Sequence, residues 1–242
     1  MTDLGDYKMK GDYKMKSDNE ALRRLKRIGL AMLGQIICGF GMYLQIQAQI
    51  GLSPWIAFYQ GLSLCFPISY GTACNLIGVL VVLADIALKE PIGVGMLLDA
   101  FLLGWTSDFL IKMNPLPAQT KLIFQILVLI LGIFAICIGE LFYMRAALGC
   151  GPRDALVIAL GKRIKKITVG KLSIIVSTIV LVLAYFLGAS IGIGTVISIV
   201  FTGFIMDLVF SIAKFNAYEV KHENFFETMR VFYHAYLNRK PQ

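Results

Sequence analysis

Four charged side chains crowd one stretch of an otherwise oily chain. In "GELFYMRAALGCGPRDAL", residues 139–156, they are Glu140, Arg145, Arg153 and Asp154. Arginine forks suit carboxylate or phosphate, and nearby carboxylates can neutralise the forks or carry a proton. Two readings follow: a local ion-pair cluster that stabilises a bend, or a substrate or proton site at the entrance to the second half of the chain. Gln45 lies in the matching stretch of the first half, Gln60 follows in the short apolar segment after its break, and Asp99 sits within an apolar run. These seven residues are the candidate substrate-binding set.

The same inventory argues against catalysis. The five cysteines, Cys38, Cys65, Cys74, Cys137 and Cys150, have no CxxC spacing, and both histidines, His222 and His234, are near the C-terminus. No metal site or cofactor is expected from this pattern. No nucleophile–base pair stands out either, so the chain does not read as an enzyme.

The elements that hold these residues read as membrane spans. Hydrophobic residues make up 57% of the 242, charged residues 16%, and the mean hydropathy is +0.73. Six runs are long and apolar enough to cross a bilayer, roughly 27–49, 70–88, 92–111, 121–144, 168–187 and 192–213. The formal charge of +8 falls mostly on segments that share one side of such a topology. That is the positive-inside pattern, with both termini cytoplasmic. It speaks for a bilayer as the partner and against nucleic acid.

The chain also repeats itself. At a spacing of 98, Gly34 matches Gly132, Gly41 matches Gly139, Gly51 matches Gly149 and Pro54 matches Pro152. At 99, Gly71 matches Gly170, Gly104 matches Gly203 and Asp108 matches Asp207. Each unit, 25–113 and 121–213, holds three spans, so the second enters from the opposite face. The expected fold is therefore an all-α membrane protein of six transmembrane helices, arranged as two inverted three-helix repeats. Inverted repeats that rock around a central site are common among secondary transporters.

Each unit breaks after its first span. Gly51, Pro54 and Trp55 in one, and Gly149, Gly151 and Pro152 in the other, mark a turn followed by a short helix. That helix lies either on the interface or inside the protein with its first turn facing a ligand. Residues 1–24, which include "GDYKMK" twice, are expected to be disordered. Residues 214–242 read as an amphipathic cytoplasmic tail, with Phe225, Phe226, Met229, Phe232, Tyr233, Tyr236 and Leu237 at helical spacing. Such a helix suits the membrane surface, the protein itself or the mate in a homodimer.

Over residues 27–213 the motifs "GLSPW…QGLS" and "GCGPRDALVIALGKR" resemble the bacterial YczE/YyaS/YitT family of integral membrane proteins. The family pattern has an acidic residue after Pro-Trp, where this chain has Ile56; Asp154 keeps the acid in the second unit. The resemblance implies a multi-pass bacterial plasma-membrane protein and names no substrate. The functional expectation is a small-solute transporter or exporter. The alternative is a non-transporting accessory, structural or sensor protein.

Overall fold

The structure, a computed structural model, describes residues 3–164, 169–216, 220 and 222–237. Nine helices follow one another among these residues: α1 (Asp3–Ala48), α2 (Pro54–Cys65), α3 (Tyr70–Ala87), α4 (Val94–Met113), α5 (Leu122–Ala146), α6 (Pro152–Arg163), α7 (Val169–Phe186), α8 (Ile193–Ile212) and α9 (Phe225–Leu237). Five of them are long and apolar enough to cross a membrane: α1 from Asn19, α3, α4, α5 and α8. The sixth expected span, α7, is apolar but shorter over its described residues, Gly170–Phe186. At about 1.5 Å per residue it comes slightly short of a ~30 Å hydrocarbon layer. The outward faces are oily, with Trp105, Phe186 and Ile212 each at least 74% exposed. A surface of this kind needs lipid around it, and the chain is an integral membrane protein.

The N-terminus differs from expectation. Helix α1 runs unbroken from Asp3, where the composition suggested disorder. The two hexads contain no proline, and extending a helix already nucleated by the apolar span costs far less than starting one. Lys165 and Lys166, the end of the basic run after α6, lie outside the described residues. The tail forms the expected helix, and α9 packs on α1. It turns Thr228 and Ala235 inward, while Phe226, Met229, Tyr233 and Tyr236 are exposed.

Helices α1 and α5 cross at the centre, and their glycines explain how closely. A Cβ on Gly34 would lie 2.6 Å from the Gly139 carbonyl, and one on Gly41 would lie 2.6 Å from the Gly132 carbonyl. Small residues at such crossings let backbones touch inside a membrane. Around this pair, α4 packs on α1 and α8 on α5, while α2 packs on α7 and α6 on α3. One hydrogen bond occurs twice at the spacing of the sequence repeat: Gly95 N–H donates to Leu148 O over 2.8 Å, and Gly194 N–H to Ile50 O over 2.7 Å.

The two breaks are built alike. Gln49 and Ala147 have positive φ, as do Gly51 (+114°) and Gly149 (+121°). Gly51 abuts Gly192 and Gly149 abuts Gly93, where a side chain would collide with backbone. Then Pro54 and Pro152 open the short helices α2 and α6 at their first turns.

Basic side chains gather at one end of the bundle. There Arg27 donates to the carbonyls of Ala146 and Ala147 and pairs with Glu223, while Lys162 pairs with Glu90. At the opposite end Tyr43 donates to Leu116 O, and Gln47 donates to Asn114.

Candidate functional site

A cavity of about 450 Å³ lies between the two halves. The first turns of both short helices line it: Ser53, Pro54, Trp55 and Ile56 from α2, and Gly151, Arg153 and Asp154 from α6. Their far ends are exposed, at Cys65 and Phe66 in one case and Arg163 and Ile164 in the other. Each short helix therefore points its N-terminal turn into the interior rather than lying flat. Broken backbone is tolerated there because a cavity that carries polar groups faces it.

Arg153 reaches across the cavity. Its guanidinium carbon lies 5.8 Å from the Trp55 ring centroid and 6.0 Å from that of Tyr59, a cation–π arrangement with both rings. Three carboxylates line the same space, Asp99 from α4, Glu140 from α5 and Asp154 from α6. None of them forms an ion pair with Arg153 among the described residues. Asp154 is exposed, and the cavity reaches it.

Of the seven candidates, five meet here. Asp99, Glu140, Arg153 and Asp154 line the cavity, as does Gln45, whose Oε1 accepts the Ser53 N–H at 3.3 Å. Arg145 does not belong to the cluster. It donates to Ala213 O at 2.7 Å and lies over the Phe215 ring. Five helical residues separate it from Glu140, and at about 100° per residue that turns it well away from the cavity face. Gln60 is also elsewhere: its Oε1 accepts the Ser190 N–H at 2.7 Å and ties α2 to the loop between α7 and α8.

Sequence reasoning missed Gln35, Tyr143 and Ser198. All three line the cavity, are at most 5% exposed, and carry a side-chain oxygen with no hydrogen-bond partner. An orphaned buried oxygen costs about 1–3 kcal/mol unless water or a ligand satisfies it. The repeat held the signal for two of them. Tyr143 is the counterpart of Gln45, 98 residues on, and Ser198 that of Asp99, 99 residues on. Asp85 is fully buried, with both carboxylate oxygens unpartnered; it lies outside the cavity lining.

Access to the cavity is lopsided. Helices α3 and α4 are zipped together: Asp108 accepts from the Gly71 N–H at 2.6 Å and from the Ser69 hydroxyl, and Asn75 accepts from the Gly104 N–H at 3.1 Å. Gly71 and Gly104 meet backbone to backbone. Their counterparts Gly170 and Gly203 face open space, and Asp207 is exposed. Helices α7 and α8 make no extended contact among the described residues. The cavity opens into that gap, past Ser173, Ile174, Ser177 and Thr178 on one side and Ile199, Thr202 and Gly203 on the other.

Comparison with known proteins agrees with a membrane protein. The chain is 32% identical to the uncharacterized membrane protein YczE of Bacillus subtilis, over 72% of this chain and 80% of that one. It is 30% identical to an uncharacterized protein of Haemophilus influenzae, over 71% of this chain and 78% of that one. Against the uncharacterized protein YyaS of Bacillus subtilis the identity is 27%, over 75% and 91%. No solved structure gives a significant match. Residues 25–211 match a family described only as of unknown function, DUF6198. The helices that build the cavity, α1 from Leu25 through α8, fall within that match, and the chain belongs to this family of membrane proteins.

Proposed function

We propose that this protein is a small-solute transporter that works by alternating access. In this reading α7 is a sixth span, the two units are inverted repeats, and α2 and α6 are re-entrant half-helices meeting at a central site. The protein sits in the bacterial plasma membrane with the basic end, and both termini, in the cytoplasm. No catalysis is assigned to it.

One observation carries the reading: equivalent helix pairs are in opposite states around one polar cavity. The α3–α4 pair is closed over Gly71, Gly104 and Asp108, and the α7–α8 pair is parted over Gly170, Gly203 and Asp207. Gly71, Gly104 and Asp108 have counterparts in Gly170, Gly203 and Asp207, which supports closure of the parted pair through the glycines and the aspartate, although Asn75 is replaced by Ile174. Exchange of the two states would close the α7–α8 side of the cavity and open the α3–α4 side.

A cross-link tests this. In a background freed of native cysteines, the pair Gly170→Cys with Asp207→Cys should form a disulfide in membranes, trapping α7 against α8. The trapped protein should then expose an Asn75→Cys thiol on α3 to a membrane-impermeant reagent. If the disulfide never forms and Asn75→Cys stays shielded under all conditions, the bundle does not alternate. The second reading, an accessory protein whose α7–α8 gap receives a partner helix, is then preferred.

A further inference from the structure

We infer that the cavity takes an amphipathic organic cation. This rests on the transporter reading for its purpose but on separate observations for its chemistry.

The first observation is charge. Asp99, Glu140 and Asp154 enter the cavity from three different helices, and Arg153 is the one cation among its described lining residues. Arg153 is also engaged by the faces of Trp55 and Tyr59. Side chain by side chain, three carboxyl groups face one guanidinium, and a carboxyl group can give up its proton to take a cation. A ligand that brings positive charge is therefore favoured over one that brings negative charge.

The second observation is the shape and wall of the portal. The gap between α7 and α8 lies along the middle of two apolar helices, not at a polar helix end. Ile174 (68% exposed) and Ile199 (55% exposed) flank it. Inside, Met42, Ile133 and Leu181 provide apolar wall. The hydroxyls of Ser173, Ser177, Thr178 and Thr202 that also line the cavity replace only part of the water that a strongly hydrated small cation would lose there. A cation with its charge spread among apolar groups loses little and gains burial. The volume of about 450 Å³ fits an organic molecule rather than an inorganic ion. The orphaned oxygens of Gln35, Tyr143 and Ser198 add neutral polar contacts without changing the charge balance.

Two probes of nearly the same size and opposite charge make the test. Tetraphenylphosphonium and tetraphenylborate are titrated separately, by calorimetry, into the purified full-length protein in nanodiscs, with empty nanodiscs subtracted. Tetraethylammonium, with the same charge and little apolar surface, is the third ligand. The expected order is phosphonium tightest, with borate and tetraethylammonium each weaker by about tenfold or more. Glu140→Gln and Asp99→Asn should each weaken phosphonium binding by about tenfold while leaving the melting temperature near that of the parent. Borate binding as well as phosphonium would overturn the inference, as would tetraethylammonium binding as well as phosphonium. No saturable binding of phosphonium would also overturn it, and so would folded carboxamide variants that bind like the parent. If the Gly170→Cys/Asp207→Cys pair alternates while phosphonium fails to bind, the substrate class falls and the transporter reading stands. Phosphonium binding without alternation has the reverse meaning.

Discussion

Arg153 lies with its guanidinium 5.8 Å over the ring of Trp55, and the two residues hold the same place in the two halves of the chain, 98 positions apart. Each is the second residue of a short helix opened by proline. The repeat thus brings equivalent positions face to face at the centre of the bundle. The two positions have diverged into a cation and the aromatic face that holds it.

Arg153→Lys tests that contact. Lysine keeps the charge but is a compact, strongly hydrated point that cannot stack on Trp55 and Tyr59 together. The expected outcome is a folded protein whose ligand response drops by about tenfold, since about 1.4 kcal/mol of contact is at stake. Trp55 emission, read in a Trp105→Phe background, should shift with the loss of the guanidinium. Unchanged emission and unchanged binding would remove Arg153 from the site.

The glycines of the closed α3–α4 pair and those of the open gap should respond differently. Gly104→Leu forces a side chain into the Gly71 backbone and should abolish folded protein. Gly203→Leu meets nothing in this state and should fold, with a melting temperature close to the parent's. It should nonetheless block closure of α7 on α8 and with it transport. Gly29→Ala, also in open space within α1, should stabilise by about 0.5–1 kcal/mol through helix propensity. Thermal melts of the three variants, with the cross-linking yield, check the set.

Asp85 is predicted to be kept at a cost to stability. Both its oxygens are buried without partners. Asp85→Asn removes a carboxylate from that site at nearly constant volume and should raise stability at neutral pH by about 1 kcal/mol or more. A melting temperature that falls instead would mean that the carboxylate has a partner in the membrane.

At the basic end, Arg27 ties three segments together. Its Nε donates to Ala146 O at 2.6 Å, Nη2 to Ala147 O at 2.8 Å, and Nη1 pairs with Glu223 at 2.5 Å. Arg27→Ala should release the tail from the turn between α5 and α6, at a cost of about 2–3 kcal/mol for the charged hydrogen bonds. Faster hydrogen exchange in α9 and earlier proteolysis there would report it. Glu223→Gln, which keeps an acceptor for Arg27, should have a smaller effect. Equal effects would show that packing of α9, not the charge, holds the tail.

Much of this architecture was legible in the residues. Long apolar runs separated by basic segments can only be satisfied by helices in a bilayer, because unpaired backbone groups are too costly in hydrocarbon. Gly51–Pro54 and Gly149–Pro152 announced both breaks, since positive φ followed by a proline-opened helix is a local matter of sterics. The match of glycines at spacings of 98 and 99 anticipated the paired bonds of Gly95 with Leu148 and Gly194 with Ile50. Glu140, Arg153, Asp154, Asp99 and Gln45 were picked out as polar groups in oil, and the bundle brings them to one cavity.

The tertiary structure decided what local rules could not. Arg145 and Gln60 left the candidate site because the direction of a side chain depends on which neighbour each helix face meets. Asp85 is buried because α3 packs there, although it lies near the end of its helix. Tyr143 and Ser198 entered the site because the cavity passes between the halves, where no single segment carries its outline. Above all, Gly71 with Gly104 and Gly170 with Gly203 are the same residues at the same spacing, yet one pair touches and the other is apart. Sequence supplies the same small residues to both pairs. Which pair touches in this structure is a property of the assembled helices rather than of any stretch of the chain.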